Sequence, residues 1–126
     1  MVALRLIVHR EHYVLTKLDS TAPVTNAAGG RFSMVSRLGG ETTVVCEQRH
    51  APAGETQAGF RLIEIDGAFA LDSIGVVAAV AAPLAAAGIG LFAFSVWSTD
   101  AFLVRETDLD RAMRALAEAA HVVALA

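Results

Sequence analysis

The residues with the clearest chemical potential sit at two places in one uncharged stretch. The first is the loop Gly67–Gly75, where Asp72, Ser73, Ile74 and Gly75 lead into a long apolar run. A helix starting there presents backbone N–H groups that have no acceptor within the helix, which makes a seat for a carboxylate. The second is "SVWSTD", containing Ser95, Val96, Trp97, Thr99 and Asp100. Asp100 can accept hydrogen bonds from an ammonium or a basic side chain. Trp97 can cover an apolar group, with Ser95, Val96 and Thr99 shaping the floor beneath it. Each residue also has a plain structural reading. Asp72 or Ser73 caps its own helix, Asp100 caps its own turn, and Trp97 packs at an interface.

Little else carries a catalytic pattern. The chain contains no nucleophile elbow, Walker loop, GxGxxG or CxxC. Cys46 lies in an apolar segment with no basic neighbour in sequence, which predicts an inert core thiol. His9, His12, His50 and His121 are scattered. His9 and His12 with Glu11 form a weak metal-like cluster, and three residues in one loop seldom make a site, so no metal or cofactor is expected. An acid–base pairing of Asp100 with His9 or His12 would make a small hydrolase or isomerase, but only the presence of those residue types supports it. The expectation is a protein that is not an enzyme.

The elements that must position these groups can be read from patterning. Ser73–Thr99 contains no charged side chain, and about 20 apolar residues can cross a bilayer. Its internal punctuation argues for water instead. Asp72 or Ser73 is a natural N-cap, and Ile74, Val77, Val80 or Ala81, and Leu84 follow at helical spacing. Pro83 stands late in that helix and Gly88 is a typical stop. "IGLFAFSVW" then reads as a buried strand and "AFLVRE" as another. Neither helix nor strand is long enough to span, which predicts a soluble protein. Gly75, Ala78, Ala79, Ala82, Ala85 and Ala86 stand where a lone surface helix would show Lys or Glu. The helix is therefore expected to be covered on more than one side, by a sheet and by a neighbouring helix.

Further on, "TDLDRAMRALAEAAH" is an amphipathic helix that Thr107 would cap, and "HVVALA" is a final strand. With "FRLIEIDG" as a strand, the order from Phe60 is β-α-β-β-α-β, the ferredoxin-like unit, an antiparallel sheet with both helices on one face. The first half is richer in strands. "LRLIV" and "YVLTKL" flank a polar break at His9–His12, "TAPVTNAAGG" is a short helix or a loop, and "FSMVSRL" and "ETTVVCE" form a hairpin around Gly39–Gly40. "QRHAPAGETQAG" reads as a linker. This order resembles a reduced copy of the second half, so an internal duplication is possible.

Composition narrows the classes. The 126 residues are one domain in size, or two small ones, with 55% hydrophobic and 18% charged residues, more apolar surface than one small core needs. The excess suggests a subunit interface. A net charge of −3 argues against nucleic-acid binding. The single cysteine fits a reducing compartment, and the N-terminus lacks a signal peptide's apolar stretch.

Specific residues resemble the ACT-domain proteins of the CASTOR type. The match runs through Leu71, Gly75, Pro83, Leu84, Gly88, Ile89 and Phe92, then Ser95, Trp97, Thr99, Asp100, Leu103 and Val104. Phe32, Ser33, Val35, Arg37, Glu41, Val44, Val45 and Cys46 match more loosely in the first half. The resemblance implies an α+β fold of tandem ACT-like units, a reduced one over residues 1–57 and a full one over 58–126, sharing one core. It also implies a cytoplasmic regulatory module that binds a small molecule, most often an amino acid, at an interface between units. The ligand-binding residues would be Asp72, Ser73, Ile74, Gly75, Ser95, Val96, Trp97, Thr99 and Asp100. In a homodimer or higher oligomer one chain would offer the helix start and the other the strand. The alternative is a protein–protein interaction module that regulates a partner enzyme without a ligand of its own. Trp97 in place of the usual Tyr or Phe makes a pocket wall bulkier. Ala101, where an aromatic is common, opens space nearby, and Phe60 in place of Trp is a packing change.

Overall fold

In the computed structural model, which describes residues 2–19, 21–24 and 29–126, Arg5–Asp19 is one continuous strand, β1. The polar break at His9–His12 predicts two strands. The break does not interrupt β1 because its polar side chains find partners beside the strand. His9 Nε2 meets Glu64 Oε1 at 2.9 Å, and Arg10 Nε donates to the Ala126 carbonyl at 2.9 Å. The remaining elements are β2 (Met34–Leu38), β3 (Glu41–Glu47), β4 (Glu55–Asp66), α1 (Val76–Ala86), β5 (Phe92–Ser95), β6 (Asp100–Arg105), α2 (Leu109–Glu118) and β7 (Val122–Leu125). Single 3-10 turns follow β3 and β6.

The chain forms two compact units, one of Met1–Arg10 with Arg61–Ala126 and one of Glu11–Phe60. The division that the sequence suggests at residues 57 and 58 falls inside β4, and Met1–Arg10 groups with the C-terminal residues. The reason is alternation. Leu4, Leu6 and Val8 point to one side and are buried in a core with Ile63, Ile65, Val80, Leu84, Phe102, Val104 and Leu116.

In this larger unit the β-α-β-β-α-β order is present, and β5 and β6 pair antiparallel from Phe92↔Leu103 to Ser95↔Asp100. The strand order is β7-β1-β4-β6-β5. The first half of β1 thus lies between β7 and β4, and its pairing with β7, Arg5↔Val122 to Val8↔Leu125, is parallel. The expected all-antiparallel sheet is corrected at this pair. The expectation of a buried strand for "IGLFAFSVW" is also corrected. β5 is short and lies at the edge of the order, with Phe92, Ala93 and Ser95 exposed.

Helix α1 buries Val76, Ala79, Val80 and Leu84, a stripe at helical spacing. Neither Asp72 nor Ser73 caps it. Gly75 is the N-cap residue, in the left-handed region at φ 86°, and no side chain bonds the first turn. At the other end Gly88, at φ 73°, donates to the Ala85 carbonyl, and Ile89 N–H donates to the Leu84 carbonyl at 2.9 Å. That pair of bonds is a Schellman stop. Ala78, Ala82, Ala85 and Ala86 are exposed on the far flank. Among the described residues no helix is long and apolar enough to cross a membrane.

Pro83 leaves a gap that a histidine fills. Proline has no N–H to donate to the Ala79 carbonyl one turn earlier. The buried His121 Nε2 lies 2.7 Å from that carbonyl, while Leu4 N–H donates to His121 Nδ1 at 3.0 Å. Nδ1 must therefore be bare and Nε2 must carry the proton, which assigns one neutral tautomer. One imidazole thus joins α1, the start of β1 and the turn before β7.

Helix α2 buries Leu109, Ala112 and Leu116 as its periodicity predicts, but Thr107 does not cap it. Thr107 lies within the 3-10 turn Glu106–Asp108 that leads in. Arg111 Nη2 instead donates 2.7 Å to the Ala87 carbonyl at the end of α1.

The smaller unit has the order β2-β3-β1-β4, using the second half of β1 and the first half of β4. Gly39–Gly40 joins β2 to β3 as a hairpin with Leu38 opposite Glu41, and Gly39 takes the positive φ of 59° that a two-residue hairpin turn requires. Val14, Val44 and Cys46 form one apolar cluster there, and Tyr13, Phe32, Val45 and Phe60 are buried as well. Part of "TAPVTNAAGG", residues 25–28, lies outside the described residues.

Candidate functional site

The two sequence segments with chemical potential line one cavity of about 250 Å³ in the larger unit. One wall is the loop after β4 and the first turn of α1, with Phe69, Ala70, Leu71, Ser73, Gly75, Val76, Val77 and Ala78. The other is the β5–β6 turn, Ser95 to Asp100. Both walls belong to one chain, so a division of helix start and strand between two chains is not needed to assemble them.

Local hydrogen bonds explain why the walls have this shape. Val96 N–H donates to the Thr99 carbonyl at 3.0 Å and closes the turn. Ser95 Oγ donates to Asp100 Oδ1 at 2.6 Å across the last pair of the hairpin. Thr99 Oγ1 donates to the Ile65 carbonyl at 3.0 Å, and Phe69 N–H to the Ser98 carbonyl at 2.7 Å. The loop itself turns through Ser73 N–H to the Ala70 carbonyl at 3.0 Å.

At the start of α1, the first helical bond runs from Ala79 N–H to the Gly75 carbonyl. The N–H groups of Val76, Val77 and Ala78 therefore have no acceptor within the helix, and no acidic residue stands in the first turn. The positive end of the helix dipole adds to their attraction for an anion. Gly75 suits this entry because a left-handed backbone there is strained for a residue with a Cβ. Among the described residues, Asp100 is the sole ionisable side chain in the lining, and no histidine, lysine, arginine or cysteine lines it.

Of the residues singled out from sequence, Ser73, Gly75, Ser95, Val96, Trp97, Thr99 and Asp100 line the cavity. Asp72 and Ile74 do not. Both are exposed, Ile74 at 94%. Sequence reasoning missed Phe69, Ala70, Leu71, Val76, Val77, Ala78 and Ser98. A helix starting at Gly75 rather than at Asp72 or Ser73 would have put Val76–Ala78 in the uncapped turn. Trp97 is 79% exposed, so it is not consumed by packing within the chain. The acid–base alternative finds no partner for Asp100 in this lining, and His9 is paired with Glu64.

The smaller unit has a different polar feature. Glu47, 3% exposed, accepts from Arg31 N–H at 2.7 Å and from Arg49 Nε at 3.0 Å. Burial alone would push its carboxyl up. The Arg31 N–H and the Arg49 guanidinium, aided by His50, outweigh that and hold it below its ordinary value. Opposite Glu47 in the strand pair, Tyr13 is buried, and among the described residues its hydroxyl has no well-formed hydrogen bond. Burial raises the phenol, and the Glu47 charge acts in the same direction. Burial also raises the Cys46 thiol, which suits an inert core position. Glu11, His12, Gln48 and Arg49 border a shallower hollow of about 150 Å³ beside Glu47. Among the described residues no group of three or more His, Cys, Asp or Glu converges as metal ligands would.

Comparison with known proteins identifies the family and the fold. The ACT-domain family model matches residues 55–118, and the chain belongs to that family. A solved structure from Agobacterium tumefaciens is 30% identical, with a TM-score of 0.92 over 100% of this chain and 96% of that one. A Vibrio cholerae protein of unknown function, described as a possible transport protein, is 20% identical with a TM-score of 0.66, covering 94% of this chain and 91% of that one. The regulatory subunit of aspartate kinase from Thermus flavus is 12% identical with a TM-score of 0.67, covering 94% and 99% of the two chains. The last two likenesses establish fold alone. No curated protein matches the chain.

Proposed function

We propose that this protein is a non-catalytic regulatory module that binds a free amino acid in the cavity between the α1 entry and the β5–β6 turn. A zwitterion needs N–H donors for its carboxylate and an acceptor for its ammonium. The uncapped first turn of α1 supplies the donors and Asp100 the acceptor. Their presence in one cavity carries the reading. Membership of the ACT-domain family and the fold shared with a kinase regulatory subunit support it. The quoted sequence motifs favour the CASTOR-type branch. On this reading the chain pairs a reduced ACT-like unit, expected from sequence over residues 1–57, with a full one over 58–126, and the module works in the cytoplasm.

The exposed alanine flank of α1 and the exposed edge strand β5 favour a homodimer. The same surfaces favour, as the second reading, a module that regulates a partner enzyme by contact alone. A thermal-shift panel of the common amino acids separates the two. A melting temperature that climbs with the logarithm of amino-acid concentration supports the sensor. A flat response across the panel from a folded dimer removes it and leaves the contact module.

A further inference from the structure

We infer that the cavity selects an amino acid with an uncharged apolar side chain, and that Trp97 closes over that side chain. The inference rests on the amino-acid-binding reading and goes beyond it to the ligand's side chain. It starts from a count of charges. Among the described residues the lining offers one carboxylate, Asp100, and no cation. The helix entry and Asp100 match the two charges of a zwitterion, and nothing is left to neutralise a third. An acidic ligand would put its second carboxylate near Asp100 or against apolar walls, losing hydration without a counter-charge. A basic ligand would bring two cations to one carboxylate that Ser95 Oγ already shares.

The apolar walls supply the other half of the argument. Leu71, Val77, Val96 and Trp97 all line the cavity, and all four are among the large hydrophobic side chains left exposed. A concentration of bare apolar surface around a small hollow marks a place where something apolar docks. The volume of about 250 Å³ lies below the range of roughly 300–1,000 Å³ common for drug-sized ligands and so suits a single small molecule. The backbone of the turn is fixed by the Val96–Thr99, Thr99–Ile65 and Phe69–Ser98 bonds. The Trp97 indole, by contrast, stands mostly in solvent, and its large apolar face gains most from covering a ligand.

Trp97 is the single tryptophan, so indole emission reports on this site alone. The experiment titrates the full chain with leucine, phenylalanine, aspartate, glutamate, lysine and arginine, following tryptophan emission together with calorimetry. The expected result is saturable binding of leucine or phenylalanine with a blue shift of emission. The charged amino acids should bind at least about a hundredfold more weakly. Asp100→Asn should weaken the apolar ligand about tenfold or more, while Trp97→Phe, followed by calorimetry, should retain most of the affinity and Trp97→Ala should not. Tight binding of a charged amino acid, or apolar binding without a change in emission, overturns this inference and leaves the amino-acid-binding reading standing. Binding of none of the six in either measurement overturns this inference, and joined to a flat thermal-shift response across the common amino acids it removes the reading itself.

Discussion

The two units use buried polar groups in opposite ways. In the larger unit, the buried His121 repairs a defect. It gives Ala79 the donor that Pro83 withholds and accepts the Leu4 N–H. In the smaller unit, the buried Glu47 holds a charge, and its backbone and guanidinium partners keep it ionised. The larger unit has two helices packed on its apolar core, whereas the described residues of the smaller unit include buried Tyr13, Val14, Phe32, Val44, Val45, Cys46 and Phe60 and no α-helix. A neutral imidazole suffices where one carbonyl lacks a donor and one N–H lacks an acceptor, whereas a buried carboxylate needs N–H and cationic partners to stay ionised.

The sharpest way to break this comparison is His121→Ala. It leaves the Leu4 N–H and the Ala79 carbonyl buried without partners, at about 1–3 kcal/mol each, and adds a cavity. Chemical denaturation should show a loss of roughly 4 kcal/mol. Adding Pro83→Ala returns a helical N–H to the Ala79 carbonyl. That second change should therefore stabilise the His121→Ala protein about 1 kcal/mol more than it stabilises the parent. Equal effects in both backgrounds would mean that Pro83 and His121 are not coupled.

Glu47→Gln should have the next largest effect, about 2 kcal/mol at neutral pH, since hydrogen bonds to a charged group are the stronger kind. Its pH dependence follows from the direction of the shift. The carboxyl is held below its ordinary value in the folded protein, so its contribution is fully present above the ordinary carboxylate range. It is lost as pH falls through the lowered value. The stability gap between parent and variant should shrink over that acid window. A gap that stays constant into acid would show that the charge is not what stabilises the strand pair.

Much of the larger unit was legible in the sequence because its signals are periodic. The stripe of α2, the Gly88 stop and the β5–β6 pair follow from spacing and turn chemistry. The start of α1 was not legible, since Asp72 and Ser73 have the side chains of caps while Gly75 has the backbone freedom that the entry uses. That difference moves the uncapped turn and brings Val76, Val77 and Ala78 into the candidate site. The placing of β1 between β7 and β4 was equally hidden. Alternation shows that Leu4, Leu6 and Val8 need a core and does not say which one. The His121 bridge left one trace, a proline inside a helix, whose missing donor asks for a partner that only the tertiary structure identifies. In the smaller unit the hairpin was readable from Gly39–Gly40, while the Glu47 contacts depend on a loop that has no periodic signal.

Amide chemical shifts followed by NMR while leucine is added test the central claim most directly. The account predicts saturable shifts concentrated at the amides of Val76, Val77 and Ala78, at Thr99 and Asp100, and at the Trp97 indole N–H. Shifts that saturate elsewhere while these signals stay still would contradict it.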